Sequence, residues 1–190
     1  MGHNHGVIGE TQMKTLLIID IQNDYFPGGA NELTGAEEAL AVAASMLACF
    51  RNAGLPIVHV QHIGSPASSF FKPGTTGAEI RREVLPAVGE ALIVKEYPSG
   101  FRKTALEETL RKLGADELVV CGMMTHMCVD TTVRAAADLG FAVTLIADAC
   151  ATKDLAYGGV TVPAAHVQAA YLAALDGTFA QVVNADELVI

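Results

Sequence analysis

The chain has 190 residues, of which 51% are hydrophobic and 17% are charged, so it can form one domain with a substantial core and is not generally disordered. Its formal net charge of −9 argues against nucleic acid and anionic membranes as partners. No apolar run approaches the roughly 20 residues that a membrane-spanning helix needs.

The first segment, residues 1–12 (MGHNHGVIGETQ), is polar and lacks the apolar core of a secretory signal. We interpret it as a tail or an expression remnant that precedes a domain over residues 13–190. Because there is no such signal and the cysteines lack CxxC spacing, a reducing, cytoplasmic setting is expected. Three of the four cysteines are expected to be buried, inert thiols, namely Cys49, Cys121 and Cys150.

Along the rest of the chain, short apolar runs alternate with helical patterns. The apolar runs have the length and the Val, Ile and Leu content of strands that are buried on both faces. The predicted strands cover residues 16–19, 57–60, 92–94, 118–120, 143–146 and 180–183, and the predicted helices cover residues 37–52, 104–113, 129–139 and 163–175. This order predicts an α/β fold, a three-layer α/β/α Rossmann-like domain with about six strands in a mainly parallel sheet.

Ionisable side chains follow three of these strands. Asp20 follows the first strand, Lys95 follows the third, and Cys128 lies in the segment after the fourth. In such sheets ligands bind beyond the carboxyl ends of the strands, so an acid, an amine and a thiol are expected to meet at one edge. A purely structural ion pair would account for the acid and the amine alone, but the added thiol favours a functional site.

The position of Cys128 near the start of the helix over residues 129–139 makes it a candidate nucleophile. Unpaired backbone N–H groups and the positive end of the helix dipole favour a thiolate there, so a lowered pKa of this thiol is expected. The same N–H groups can hold an oxyanion that forms beside the sulfur.

Five segments of the chain resemble the isochorismatase-like cysteine hydrolases, which include nicotinamidases, N-carbamoylsarcosine amidase and many uncharacterised amidases. The resemblance runs from about residue 14 to the end of the chain, and the order of the segments makes it specific. The segments are residues 16–26 (LLIIDIQNDYF), 95–101 (KEYPSGF), 122–129 (GMMTHMCV), 134–140 (RAAADLG) and 148–152 (DACAT).

The resemblance implies an Asp–Lys–Cys triad, carried here by Asp20, Lys95 and Cys128. It also implies a cis peptide bond between Met123 and Met124 that turns the amide of Met124 inward. The oxyanion hole would then consist of the backbone N–H groups of Met124 and Cys128. The side chain of Thr125 is expected to hold this turn by bonding to nearby backbone.

These residues can perform acyl transfer. Asp20 accepts the thiol proton, while Lys95 keeps Asp20 ionised and favours the thiolate of Cys128. The thiolate attacks a carbonyl carbon, Asp20 protonates the leaving amine, and water activated by the same carboxylate hydrolyses the thioester. No histidine is placed for a Cys–His dyad, because His126 precedes the cysteine by two residues and is expected to face elsewhere.

The sequence departs from nicotinamidases at their metal site. Those enzymes carry an Asp-x-His pair after the second strand, with a further histidine downstream. The corresponding residues 61–64 (QHIG) contain His62 alone, which we interpret as a pocket or core histidine. We therefore predict no catalytic metal and no other cofactor.

Loops at the same sheet edge supply candidates for the lining of a small, partly apolar pocket. About half of the aromatic candidates are expected to be ordinary core or subunit packing. A small-molecule substrate and a homodimer or larger homo-oligomer are the expected partners, and no nucleic acid or membrane is expected. The pocket candidates are Gln22, Phe26, His62, Phe70, Phe71, Tyr97, Phe101 and Thr125.

Three hypotheses about function follow. The first is a metal-independent cysteine hydrolase that cleaves a small amide, imide or carbamoyl C–N bond. The second is an isochorismatase-type vinyl ether hydrolase, a reaction for which an acid and an amine suffice. The third is a non-catalytic Rossmann-like binding protein, although the first strand is not followed by G-x-G-x-x-G and no P-loop pattern occurs.

Overall fold

A computed structural model describes residues 13–190, and the polar leader over residues 1–12 lies outside this described part. Within it, no helix combines the length and the apolar character needed to cross a bilayer. The elements in chain order are β1 (Lys14–Ile19), α1 (Ala36–Ala53), β2 (Ile57–His62), β3 (Ala91–Lys95), α2 (Leu106–Lys112), β4 (Glu117–Met123), α3 (Asp130–Asp138), β5 (Ala142–Ala151), β6 (Leu155–Tyr157), β7 (Val160–Val162), α4 (Ala164–Leu175) and β8 (Gln181–Val183).

Six strands form one parallel sheet in the order β3-β2-β1-β4-β5-β8. β1, β2 and β3 are added one after another toward one edge of the sheet. The chain then crosses back, and β4 pairs with the other side of β1. The point where the direction of winding changes therefore lies between β1 and β4, where parallel α/β sheets bind their ligands. The predicted three-layer fold with a six-stranded parallel sheet is confirmed.

Both faces of the sheet are covered, because successive side chains of a strand point to opposite faces. On β1, Leu16 and Ile18 pack in the core beneath α1, whereas Leu17 and Ile19 pack in the core beneath α2 and α3. All four side chains are at most 2% exposed. This two-sided burial is the reason why β1 is a continuous apolar run rather than an alternating one.

Two sequence predictions about the sheet need correction. β3 is an edge strand rather than a strand buried on both faces, since Leu92 is 45% and Val94 52% exposed. The connection from β2 to β3, residues 63–90, contains only short 3₁₀ turns and supplies no helix to cover them. The sequence prediction also lacked the hairpin of β6 and β7, whose strands have three residues each and are joined at Gly158 and Gly159.

The cysteines also differ from expectation. Cys121 lies inside β4 and Cys150 inside β5, and both are buried. The predicted strands ended at residues 120 and 146, before these cysteines. Cys49 is exposed on α1 instead of buried.

Gly122 allows β4 to lie close to β1 at the switch point. Its φ of +136° is outside the region that L-residues adopt readily, and a Cβ placed there would lie 2.0 Å from the backbone oxygen of Ile19. The register of β4 against β5 also shifts between Val120 and Gly122. A glycine is therefore required just before the segment that carries Cys128.

We expect Gly122→Ala to lower the free energy of unfolding by about 3 kcal/mol or more, because strained backbone and overpacking add at this position. Gly89→Ala is the matched control, since Gly89 also has a positive φ of +93° but no atom lies within 4 Å of the place that its added methyl group would take. Urea denaturation of both variants measures the difference. Equal losses for the two would contradict a close β1–β4 contact at Gly122.

Candidate active site

The three ionisable residues that follow the strands meet in space. The Nζ atom of Lys95 lies 2.6 Å from Oδ2 of Asp20 and 3.3 Å from Sγ of Cys128. Asp20 is 0%, Lys95 1% and Cys128 4% exposed. An acid, an amine and a thiol are thus in contact in an almost fully enclosed position at the carboxyl end of the sheet.

The strands determine where two of these side chains lie. Asp20 follows β1 directly and has a left-handed φ of +51°, a conformation in which aspartate is several-fold enriched among non-glycine residues. Its backbone N–H donates to the carbonyl oxygen of Val60 on β2 at 3.0 Å, which holds the bend. Lys95 is the last residue of β3 and is paired in register with His62, the last residue of β2.

Cys128 lies in a π-helical turn, Thr125–Val129, that connects β4 to α3. The sequence predicted a helix that starts at residue 129, directly after Cys128. In the structure α3 begins at Asp130, and Cys128 lies within the preceding turn. The peptide bond between Met123 and Met124 is cis. Within residues 13–190, the backbone N–H of Met124 has no backbone hydrogen-bond partner.

Two side chains of the turn anchor it to the end of β5 and to the residue that follows this strand. Thr125 is fully buried and donates from Oγ1 to the carbonyl oxygen of Ala151 at 3.1 Å. Its partner is therefore on the neighbouring strand and not in local backbone. Nδ1 of His126 is 2.6 Å from Oγ1 of Thr152, so this histidine faces away from the thiol, as the sequence predicted.

His62 is in contact with the site, although sequence reasoning named it only as a pocket candidate. Its Nδ1 lies 2.9 Å from Nζ of Lys95. Burial and the charge of Lys95 lower the pKa of His62 to about 4, so the imidazole is neutral at neutral pH. A neutral ring nitrogen that faces an ammonium acts as a hydrogen-bond acceptor.

The electrostatics of the thiol are opposite to the sequence prediction. Burial raises the pKa of Cys128 well above its usual range, and the Asp20 carboxylate adds to this effect while the Lys95 ammonium opposes it. Burial also raises the pKa of Asp20, again against the influence of Lys95. The helix start predicted a lowered pKa for Cys128, but desolvation of the enclosed sulfur shifts this pKa upward instead.

A set of donor atoms suited to a metal ion overlaps this site. The side-chain atoms of Asp20, His62 and Cys128 lie within 4.8 Å of one another and offer oxygen, nitrogen and sulfur. The ammonium of Lys95 is within 3.3 Å of a donor of each of the three. Because a positive charge already lies between these donors, a divalent cation fits there only if Lys95 leaves.

Two of the pocket candidates have structural roles. The side chain of Gln22 donates to the backbone oxygens of His62 and Ala78 and accepts from the N–H of His62, at 2.7 to 2.8 Å. Both of its N–H groups are thus used by backbone, which corrects its assignment to the pocket. Phe26 is 2% exposed and packs in the core under the guanidinium of Arg81.

Of the aromatic pocket candidates, Phe71 lies beside His62, and Phe70 packs on Phe71 with ring centroids 4.9 Å apart. The ring centroid of Phe71 is 5.9 Å from that of His62 and 4.7 Å from that of Tyr25. Tyr25 is a residue that sequence reasoning missed, although it lies in the segment that follows Asp20. Burial raises its pKa, and the nearby charges of Cys128 and Asp20 add to this effect.

Tyr97 and Phe101 lie farther along the connection from β3 to α2. Tyr97 is half-buried beneath the guanidinium of Arg102 at 3.9 Å. Phe101 is half-buried and stacks on Phe141 at 6.3 Å. Phe101 packs against the core cluster that also contains Cys128, and Tyr97 lines a surface cavity together with Lys95 and Arg102.

Comparisons with known proteins agree with this geometry. A family model described as Isochorismatase domain matches residues 14–187. The chain is 49% identical to the uncharacterized isochorismatase family protein YddQ of Bacillus subtilis over 168 residues, which cover 88% of this chain and 93% of that protein. It is 37% identical to a streptothricin hydrolase of Streptomyces noursei, over 75% of this chain and 51% of that protein.

Solved structures show the same relationship. A crystal structure of an Oleispira antarctica protein superposes with a TM-score of 0.91 at 45% sequence identity, covering 94% of this chain and 96% of that one. With the family model spanning almost all of the described residues, and with this degree of identity, the chain is a hydrolase of the isochorismatase family.

Proposed function

We propose that this protein is a metal-independent cysteine hydrolase that cleaves a small amide, imide or carbamoyl C–N bond through a thioester on Cys128. The observation that carries the proposal is the contact of the buried thiol with the Lys95 ammonium at 3.3 Å, while the same ammonium is paired with Asp20 at 2.6 Å. This arrangement combines a nucleophile, a proton acceptor and a fixed positive charge in one enclosed place.

The raised pKa values of Cys128 and Asp20 favour an internal proton transfer over a resting thiolate. When the thiol proton moves to Asp20, the net charge of the site is unchanged and the new thiolate lies beside Lys95. Such a transfer moves no net charge out of the protein, so the burial that opposes ionisation to solvent opposes it less.

The reaction then proceeds in two halves. The thiolate of Cys128 forms a bond to the carbonyl carbon, and the C–N bond breaks as Asp20 gives its proton to the leaving nitrogen. Water next attacks the thioester while Asp20 takes a proton from it, and the S–C bond breaks to release the acid. The thiol of Cys128 regains the proton at the end of the cycle.

The developing oxyanion needs donors, and we assign this role to the backbone N–H groups of Met124 and Cys128. Each donor of this kind contributes roughly 3 kcal/mol to the stability of a transition state. In the described part of the chain the N–H of this buried Met124 has no backbone partner, which supports the assignment because a buried N–H without a partner is uncommon in proteins.

The names of two further relatives support amide chemistry. A nicotinamidase of Arabidopsis thaliana is 31% identical over 155 residues, and the ureidoacrylate amidohydrolase of Variovorax paradoxus is 28% identical over 186 residues. A secreted isochorismatase effector of Verticillium dahliae is 38% identical over 145 residues. Ether cleavage is therefore the alternative that the first experiment has to separate from amide cleavage.

We expect Cys128→Ala to lower kcat on any amide that the wild type hydrolyses by at least about a thousandfold, because the covalent intermediate is lost. A screen of small amides, with mass spectrometry of the protein, would show an acyl group on Cys128. Cys49→Ala, at an exposed helical site, is the control and is expected to keep full turnover. Isochorismate cleavage that persists in Cys128→Ala, with no amide hydrolysed by the wild type, would instead establish the ether reaction.

The internal proton transfer predicts the pH dependence of Cys128 reactivity. Alkylation by iodoacetamide should be nearly flat through neutral pH, whereas the rate for a free thiol in solution rises tenfold per pH unit below its pKa. Since burial raises the pKa of Asp20, the rate should fall on acidification with a midpoint above about pH 4, the value for an ordinary aspartate.

Asp20→Asn removes the internal proton acceptor, and we expect it to abolish the flat region of that profile. Rates are measured by mass spectrometry of the Cys128 peptide across the pH range. A wild-type profile that climbs through neutral pH as the free thiol does would contradict the internal transfer.

Metal independence has its own test at Lys95. Dialysis against a chelator should leave wild-type turnover and Cys128 alkylation unchanged. Lys95→Ala is expected to bind about one Zn²⁺ per chain, because it exposes a carboxylate, an imidazole and a thiol to the ion. Metal content and calorimetry measure the binding, with Lys153→Ala as the control. Loss of wild-type activity to a chelator, with recovery on adding Zn²⁺, would refute the proposal.

A further inference from the structure

The ammonium of Lys95 has three N–H groups, and three side chains in the described part of the chain lie within hydrogen-bond reach of it. These are Oδ2 of Asp20 at 2.6 Å, Nδ1 of His62 at 2.9 Å and Sγ of Cys128 at 3.3 Å. Resting on the function proposed above, we propose that His62 is a positioning residue that holds the Lys95 ammonium between Asp20 and Cys128.

His62 is suited to accept a hydrogen bond and not to donate one to this ammonium. The ring is half-buried, and burial together with the charge of Lys95 lowers the pKa of His62 to about 4. The unprotonated Nδ1 therefore offers a lone pair to the ammonium, and the ring proton resides on Nε2. A protonated ring at 2.9 Å would instead place two positive charges in contact.

His62 is itself held rigidly. The side chain of Gln22 bonds both its N–H and its carbonyl oxygen, each at 2.8 Å. Its ring packs against the ring of Phe71, which is fully buried. His62 and Lys95 are also paired residues at the ends of adjacent strands, so their side chains leave the sheet on the same face. A residue fixed by this many contacts can fix its own partner.

The three acceptors behave differently during the reaction. Asp20 loses its negative charge when it takes the thiol proton, and the sulfur of Cys128 loses its charge when it bonds to the carbonyl carbon. At the tetrahedral stage Asp20 is a neutral acid and the sulfur is bonded to carbon, so neither of them offers Lys95 a negatively charged acceptor. The neutral Nδ1 of His62 keeps the same charge throughout, so it restrains the flexible lysine side chain when the other two do not.

The experiment measures alkylation of Cys128 by iodoacetamide at neutral pH, with the exposed Cys49 of the same molecule as the internal reference. His62→Phe keeps a ring beside Phe71 but removes the acceptor, and we expect alkylation about tenfold slower than wild type. His62→Gln restores an acceptor and should remain within about threefold of wild type. His62→Leu repeats the loss of the acceptor with a smaller side chain if the phenylalanine variant does not fold.

His59→Phe is the matched control for a general loss of stability. His59 lies on the same strand, is 1% exposed and bonds Glu90 at 2.8 Å, without contact to Asp20, Lys95 or Cys128. Its substitution should lower the melting temperature and leave Cys128 alkylation within about twofold of wild type. Folded His62→Phe or His62→Leu protein that is alkylated as fast as wild type would overturn the proposal.

The kinetic parameters on an amide identified in the screen provide a second readout. We expect His62→Phe to lower kcat and to leave KM unchanged, since His62 acts through Lys95 and not on the substrate. A raised KM with unchanged kcat would identify a substrate-binding residue and contradict the proposal. Alkylation of Cys128 needs no substrate. If the wild type hydrolyses no amide, the proposed function is refuted, but the alkylation test of His62 can still be carried out.

Discussion

The site depends on the buried ammonium of Lys95. Removing a charged amine from water costs several kcal/mol, and partners in good geometry are needed to offset this. Here Asp20, His62 and Cys128 all face one nitrogen at distances from 2.6 to 3.3 Å. The same charge also stabilises a carboxylate in a position with almost no solvent and, in the proposed reaction, the transient thiolate of Cys128. Each of the four side chains therefore has its ionisation or orientation determined by the others.

The parallel sheet makes this arrangement possible. The switch point lies between the paired strands β1 and β4, which places Asp20 after the end of β1 and the turn with Cys128 after the end of β4. β3 lies at the sheet edge, and its last residue, Lys95, extends back across the end of β2 toward them. Gly122 permits the close contact of β4 with β1 that precedes the turn. The fold thus supplies a rigid frame for groups that come from three distant parts of the sequence.

Burial changes how the thiol of Cys128 is understood. A thiol near a helix start would ordinarily be expected to ionise easily, yet Cys128 is 4% exposed and its pKa is raised. In the proposed reaction, the reactivity of Cys128 comes from Asp20 as a proton acceptor that is already in place, and no permanent thiolate is needed. An enclosed neutral thiol also does not react with the general pool of electrophiles as a free thiolate would.

The sequence by itself determined the alternation of strands and helices, and it indicated that Asp20, Lys95 and Cys128 would meet, because side chains at the carboxyl ends of parallel strands share one edge. The tertiary structure alone decided the direction in which the pKa of the Cys128 thiol is shifted, the partner of His62 and the use of the Gln22 amide by backbone. These depend on desolvation and on distances of about 3 Å between segments far apart in the chain, which local residue patterns do not contain. Tyr25 was missed for the same reason, since its closeness to Cys128 and its contact with Phe71 join segments far apart in the chain.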